Sequence, residues 1–450
     1  MLPLLAACGS SSANGNNHSA TNKVGAGNLI GAVVHLPKDI KQAPPAAPGY
    51  VVSQAKAFKG QTVTYYGDGV GIGHDMDVVM AQKFAQQTGV KIKIVIKPSN
   101  SDQALSTYTR LFSAKSSNID AMMLDVVWPG TVGSYLLPLD KYVGSRKSQY
   151  YSTIIKNDTI GGHLIAIPWF SDFGLLYYRT DLLKKYNISG PPATWAQLKA
   201  DATKIQTGEQ KTNKKFYGFV FQGNSYEGLT CDALEWIASS GGGTIVTNGK
   251  ITLNNPKAVS AIQTAASWVG TISPRDVTTY TETESNNYFD AGNAAFLRNW
   301  PYAYAIAQQT PKIAGKVGTA PLPHANGGKS SGTVGGWQLG VSKYSKHQGA
   351  AVAWVEYLTS PAIEKWRAVN GSFVPSIPSL SANAAVKKAE PFLATTKSEV
   401  RVVRPATFYG TKYNQASNIF WQGVNQVLNG SQASSVIPGT AQQLQRLGGS

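Results

Sequence analysis

A chain of 450 residues with 42% hydrophobic and 10% aromatic content has enough apolar material for a large core, which at this length is expected to divide between at least two lobes. No run approaches the roughly 20 uninterrupted apolar residues that a membrane-spanning helix needs. The 41 Lys and Arg against 24 Asp and Glu give a net charge of +17, yet basic residues never run beyond pairs such as Lys184-Lys185 and Lys387-Lys388, and no zinc or helix-turn-helix signature accompanies them, which argues against a nucleic-acid partner.

The chain opens "MLPLLAACGSSSANGNN", and Leu5-Ala6-Ala7-Cys8-Gly9 resembles a lipobox, where bacterial lipoproteins are cleaved and the new N-terminal cysteine is acylated. Sulfur suits that chemistry because it becomes the thioether to a diacylglycerol. Residues 1–8 are therefore expected to be the end of a signal peptide, with Cys8 the lipidated residue. Residues 9–57, rich in Ser, Gly and Asn and carrying "APPAAP" at 43–48, are expected to be a flexible tether. This places the protein outside the cytoplasm, lipid-anchored to the outer face of the cell membrane. The second cysteine, Cys231, lies on the apolar helical pattern "LTCDALEWIA" and is expected to be a core thiol, so no disulfide is expected.

The first folded unit reads strand, loop, helix, strand. "TVTYY" at 62–66 is β-rich, Met76, Val79, Met80 and Phe84 mark one face of a helix over 75–88, Gly89 ends it, and "VKIKIVI" alternates as a strand. A βαβ unit and a largely parallel sheet follow from this order. The glycines of the intervening loop fall at 67, 69, 71 and 73, not as G-x-G-x-x-G, and the second strand ends in Lys97-Pro98 without a ribose-binding acid, which excludes a dinucleotide site. Farther along, Thr194 with Gln197 and Ser345 with Gln348 read as capping boxes, and Asn255-Pro256 opens a helix through Ile262 and Val269. The fold class is α/β.

The six histidines include no H-E-x-x-H or other metal spacing, and no G-x-S-x-G elbow is present, so neither a metal, a cofactor nor an α/β-hydrolase nucleophile is expected. Asp125 in "LDVVWPG" and Asp172 in "IPWFSDFG" each lie near a tryptophan. Such a pair serves either a glycoside hydrolase or a sugar-binding protein, where carboxylates accept hydrogen bonds from hydroxyls and aromatic faces cover the pyranose. Trp300, Tyr302 and Tyr304 in "AFLRNWPYAYAIA", and Trp337 behind Gly335-Gly336, are either core residues or ligand contacts. Only 14% of residues are charged, and a surface this poor in carboxylates suits an acidic external medium.

Five stretches, "LDVVWPGTVGSYLLPLD", "IPWFSDFGLLYYRTDLLKKYNISGPPATWAQL", "FVFQGNSYEGLTCDALEWIASSGGG", "FLRNWPYAYA" and "VGGWQLGVSK", together resemble the extracellular solute-binding proteins of ABC sugar importers, family 1, most nearly the trehalose/maltose-binding branch. The resemblance covers about residues 60–430. It implies a two-lobed periplasmic-binding-protein-like fold (type II), with hinge-linked lobes and a ligand cleft between them. The N-lobe is expected at 58–170 and 312–360 and the C-lobe at 171–311 and 361–450, with crossings near "AIPWFSD" and "QTPKIAG". By the same resemblance Asp68, Arg110, Asp125 and Trp128 match polar and aromatic contacts of the N-lobe, and Asp172 an acidic sugar ligand at the crossing. Tyr226, Glu227 and the stacking Trp300 come from the C-lobe, Gly336 and Trp337 from the returning N-lobe segment, and Arg404 and Tyr409 from the last helical region. The loop around Asp68 departs from the family pattern, so Asp75 or Asp77 could take its place. The function implied is capture, as a monomer and without catalysis, of a disaccharide or short oligosaccharide for delivery to permease subunits. The alternative is a secreted glycoside hydrolase acting on a disaccharide.

Overall fold

The computed structural model describes residues 42–45 and 50–449; Cys8 and most of the expected tether lie outside them. Helix α1 (Tyr50–Lys56) precedes β1 (Thr62–Gly67), α2 (Gly73–Thr88), β2 (Lys91–Ile96), α3 (Ser101–Ser113) and β3 (Ala121–Asp125). After several short helical turns, β4 (Ile167–Phe173) runs into β5 (Leu175–Arg179), followed by α4 (Trp195–Glu209), β6 (Tyr217–Val220) and α5 (Glu227–Ser239). Next come α6 (Pro256–Ala266), α7 (Glu282–Asp290), β7 (Ala294–Asn299), α8 (Tyr302–Gln309) and β8 (Val317–Ala320). The chain closes with β9 (Ser331–Val341), α9 (Gln348–Leu358), α10 (Pro361–Gly371), β10 (Val374–Pro375), β11 (Val400–Val402), α11 (Tyr413–Leu428) and α12 (Ala433–Gly448).

Local chemistry accounts for many of these bounds. Gly89 stops α2 at φ 77°, with its N–H returned to the Ala85 carbonyl, a conformation that glycine reaches without Cβ strain. Thr194 and Gln197 form the expected capping box of α4, and the Asn255 side chain accepts from the Ala258 N–H to start α6. That helix ends at Ala266, short of Val269. The expected box at Ser345 does not form. The buried Asp120 carboxylate takes the Ser345 hydroxyl at 2.5 Å, and α9 begins after His347, without a side-chain cap.

Two sheets define two lobes. The first runs β10–β4–β9–β3–β1–β2, with β11 on β9. The second runs β8–β5–β7–β6. Both are mixed, which corrects the expectation of a largely parallel sheet: β1 pairs in parallel with β2 and β3, whereas β9 is antiparallel to β3 and β4, and β7 is parallel to β6 and antiparallel to β5. The strand β9 returns from the other lobe, not through a local βαβ crossover, and so enters in the opposite direction.

The chain changes lobes at Gly174, between β4 and β5, and again between β8 and β9. The second crossing falls later than "QTPKIAG", because β8 still pairs with β5 in the second sheet. The third falls beyond the expected boundary at 360, because β10 pairs with β4 and β11 with β9 in the first sheet. The helices α11 and α12 then pack in the C-lobe, α11 against α5 and α6. The expected tether also ends early. Helix α1 packs on α9 in the N-lobe, Ala43 is buried, and the Tyr357 hydroxyl donates to the Pro44 carbonyl at 3.0 Å.

Candidate functional site

Sheet register puts four of the expected residues side by side. On β9, Trp337 stands opposite Asp125 of β3, and Gly335 opposite Asp172 of β4. Gly336 between them has φ 122°, and a Cβ there would lie 2.6 Å from the Phe170 carbonyl oxygen, so only glycine lets β9 lie this close to β4. A register shift follows at Trp337/Gln338, a bulge of the kind that re-aims side chains.

These strands form one wall of a cavity of about 660 Å³, its mouth included, between the lobes. Of the residues expected in the site, Asp68, Asp125, Asp172, Glu227, Trp300, Gly336, Trp337 and Arg404 line it. Asp68 lines it rather than Asp75 or Asp77. The deeper Asp77 accepts the Asp68 backbone N–H at 2.8 Å, and burial followed by the neighbouring Asp68 pushes it up to about 8.

Four expected residues do not reach the cavity. Arg110 is exposed on the last turn of α3. Trp128 is buried behind Trp337, edge-on at 5.5 Å between ring centroids, and supports that ring. Tyr226 is buried under Gly228, and Tyr409 donates its hydroxyl to the Leu444 carbonyl of α12 at 3.1 Å. Short aromatic motifs fix composition, not the direction in which each ring points.

The charged groups separate into committed and uncommitted ones. Arg404 donates to Asp125 Oδ1 and to Glu227 Oε1, each at 2.8 Å. Glu227 also takes the Tyr413 hydroxyl on Oε1 and the Ser417 hydroxyl on Oε2 at 2.5 Å, so its acceptor capacity is largely used by protein donors. Asp172 differs: its Oδ1 is buried without a partner, and burial, then Asp68, holds its carboxyl well above the usual range.

Sequence reasoning missed Lys97, Glu282 and Phe373 and left Tyr302 open between core and ligand contact; all four line the cavity. Lys97 is buried with no hydrogen-bond partner for its ammonium, which lies 4.1 Å from the centre of the Trp337 ring; burial lowers its pKa. Tyr302 likewise has an unpartnered hydroxyl. Glu282, in the first turn of α7, accepts the Trp300 indole N–H at 3.2 Å, while the Arg298 guanidinium covers that ring at 4.1 Å. Arg298 is itself held by Asp232 and Glu235, so the position of Trp300 is braced from behind. Cys231 is a buried free thiol, as expected, and forms part of the cavity wall.

Two α/β lobes joined by crossing strands, with unpaired polar groups converging in the cleft between them, define a two-lobed binding protein. The chain belongs to the bacterial extracellular solute-binding proteins, whose family profile matches residues 74–365. It is 50% identical over 381 residues to the "Probable ABC transporter-binding protein" of Deinococcus radiodurans, covering 84% of this chain and 90% of that protein. Among solved structures it is similar to maltose-bound MalE3 of T. maritima, at a TM-score of 0.79 and 32% identity over 86% of this chain and all of that one. The GacH receptor of Streptomyces glaucescens, solved unliganded and with acarbose, shares the fold at a TM-score of 0.74 and 23% identity, over 86% of this chain and 98% of that one. The protein is a solute-binding component of an ABC transporter and not an enzyme, which removes the glycoside hydrolase alternative for Asp125 and Asp172.

Proposed function

We propose that this protein captures a neutral disaccharide or short oligosaccharide of the trehalose/maltose type and delivers it to permease subunits. The observation that carries this reading is the set of buried groups left without partners in one cavity. Lys97 Nζ is a donor, Asp172 Oδ1 an acceptor, and the Tyr302 hydroxyl either. A ligand satisfying all three must present donors and acceptors together, as sugar hydroxyls do. Trp300 and Trp337 border the same space and supply apolar faces for the pyranose C–H surface. The maltose of the T. maritima relative and the acarbose of the S. glaucescens receptor fit the same chemistry.

The mechanism is closure without reaction. Lobes that pivot at Gly174 and the two later crossings bury the hydroxyls among fixed charges, and the closed form is what the permease reads. Each charge-assisted hydrogen bond contributes about 1.5–3 kcal/mol. In this reading the protein works as a monomer on a lipid leash at Cys8, which intact-mass measurement in the native host would test. Calorimetry over a panel containing trehalose, maltose and longer glucosides tests the ligand: micromolar or tighter binding of at least one is expected, and no binding across the panel would refute the sugar reading.

A further inference from the structure

A hydrogen bond joins the lobes from a residue that stands outside the cavity lining. Asp102, in the first turn of α3 in the N-lobe, accepts the backbone N–H of Glu227 at 2.9 Å. Glu227 is the first residue of α5 in the C-lobe, and Tyr226 before it makes no side-chain capping bond. The N-terminus of α5 is therefore capped by a carboxylate from the opposite lobe. That carboxyl also sits in the first turn of its own helix, so two helix N-termini, each partially positive, converge on one acceptor group. The Glu227 side chain strengthens the same junction, because Arg404 ties it to Asp125 on β3 of the N-lobe. Asp102 itself is not among the cavity-lining residues.

We propose that Asp102 is a positioning residue for solute capture: it caps α5 across the cleft, and so sets how readily the lobes stay closed. This rests on the reading of the protein as a clamp that opens and closes. When the lobes separate, the Glu227 N–H and the Asp102 carboxylate lose each other and must be solvated. A ligand that binds the closed form is weakened in proportion to the fall in the closed population, whatever its own contacts are. Removing Asp102 should therefore scale every affinity by one common factor. Removing a residue that touches the ligand should instead change affinities unequally from one sugar to the next.

The test uses the folded full-length chain with Asp102→Ala and Asp102→Asn. Dissociation constants are measured for each sugar of the panel that the unaltered protein binds, and exchange of the backbone amide of Glu227 is followed by deuterium uptake without ligand. For Asp102→Ala we expect about tenfold weaker binding of every sugar, equal between sugars to within about threefold, and faster exchange at Glu227. Asp102→Asn, which keeps an acceptor oxygen but loses the charge, should fall between. Unchanged affinities, or losses that differ widely between sugars, would overturn the proposal. If no sugar binds, the sugar reading fails by itself; the exchange measurement still decides the latch, since an Asp102→Ala rate equal to that of the unaltered protein overturns it.

Discussion

Lys97 and Trp337 meet in the wall of the cleft, ammonium to ring centre at 4.1 Å; the buried cation has no hydrogen-bond acceptor among the described residues, and the indole face and the more distant charges of Asp68, Glu282 and Asp125 favour it. A buried unpaired charge lowers stability, and its presence here is best understood as reserved for a ligand. Lys97→Met should keep the stem's packing and remove the charge. We expect affinity for the cognate sugar to fall about tenfold while the unliganded melting temperature stays level or rises by about 2 °C. Calorimetric titration and scanning calorimetry on the same sample read both quantities; a clear drop in melting temperature would show that the ammonium supports the fold.

Trp300 is braced by Glu282 at its indole N–H and by Arg298 across its face. Trp300→Ala should leave the Arg298 ion pairs in place and weaken sugar binding at least tenfold, the loss of a stacking surface of about this size. Unchanged binding by calorimetry would sink the stacking role.

Gly174 marks the passage between the sheets, and a Cβ there would lie 2.0 Å from Glu235 Oε1 and 2.8 Å from Arg298 Nη2. Gly174→Ala must displace a fully buried ion pair, so a loss of about 3 kcal/mol is expected in urea unfolding. A loss under about 1 kcal/mol would mean that the pair relaxes freely.

Several carboxyls bind protons more tightly in the native chain than in an unfolded one. Burial pushes Asp77 and Glu364 up to about 8, and Asp102 and Asp290 up to about 7. Between their ordinary values near 4 and these raised ones, the native state holds protons that the unfolded state has released, so stability declines as pH rises through that window. His74, lowered by burial, acts in the opposite sense below about 6.5, but it is one group against several. The urea midpoint should therefore be higher at pH 5 than at pH 8. The reverse order would also remove the physical basis for expecting an acidic habitat from the scarcity of surface acids.

Much of the architecture was legible locally. Gly89 as a helix stop, Thr194 and Asn255 as helix starts, and the alternation of "VKIKIVI" depend on neighbours within a few residues, and each appears where expected. The failures are long-range. Ser345 had the right partner spacing for a cap, but Asp120, far away in sequence, offered its hydroxyl a buried acceptor. Glu227 has the chemistry of a sugar acceptor, yet Arg404, Tyr413 and Ser417 converge on it from the far end of the chain. Lys97 looked like a strand-end lysine, and its burial depends on β9 arriving from the other lobe to lay Trp337 against it. Boundaries of the lobes erred for the same reason: strand pairing, which periodicity does not reveal, assigns β8 to one sheet and β10 to the other.

The contact of Pro44 with Tyr357 and of α1 with α9 joins the start of the described chain to the N-lobe. On the proposed reading of a hinged clamp held at Cys8, an upstream pull would fall on the N-lobe and leave the C-lobe as the jaw that swings. In that reading the leash would go taut or slack without biasing the bite, and reach and grip would be set by separate parts of the chain.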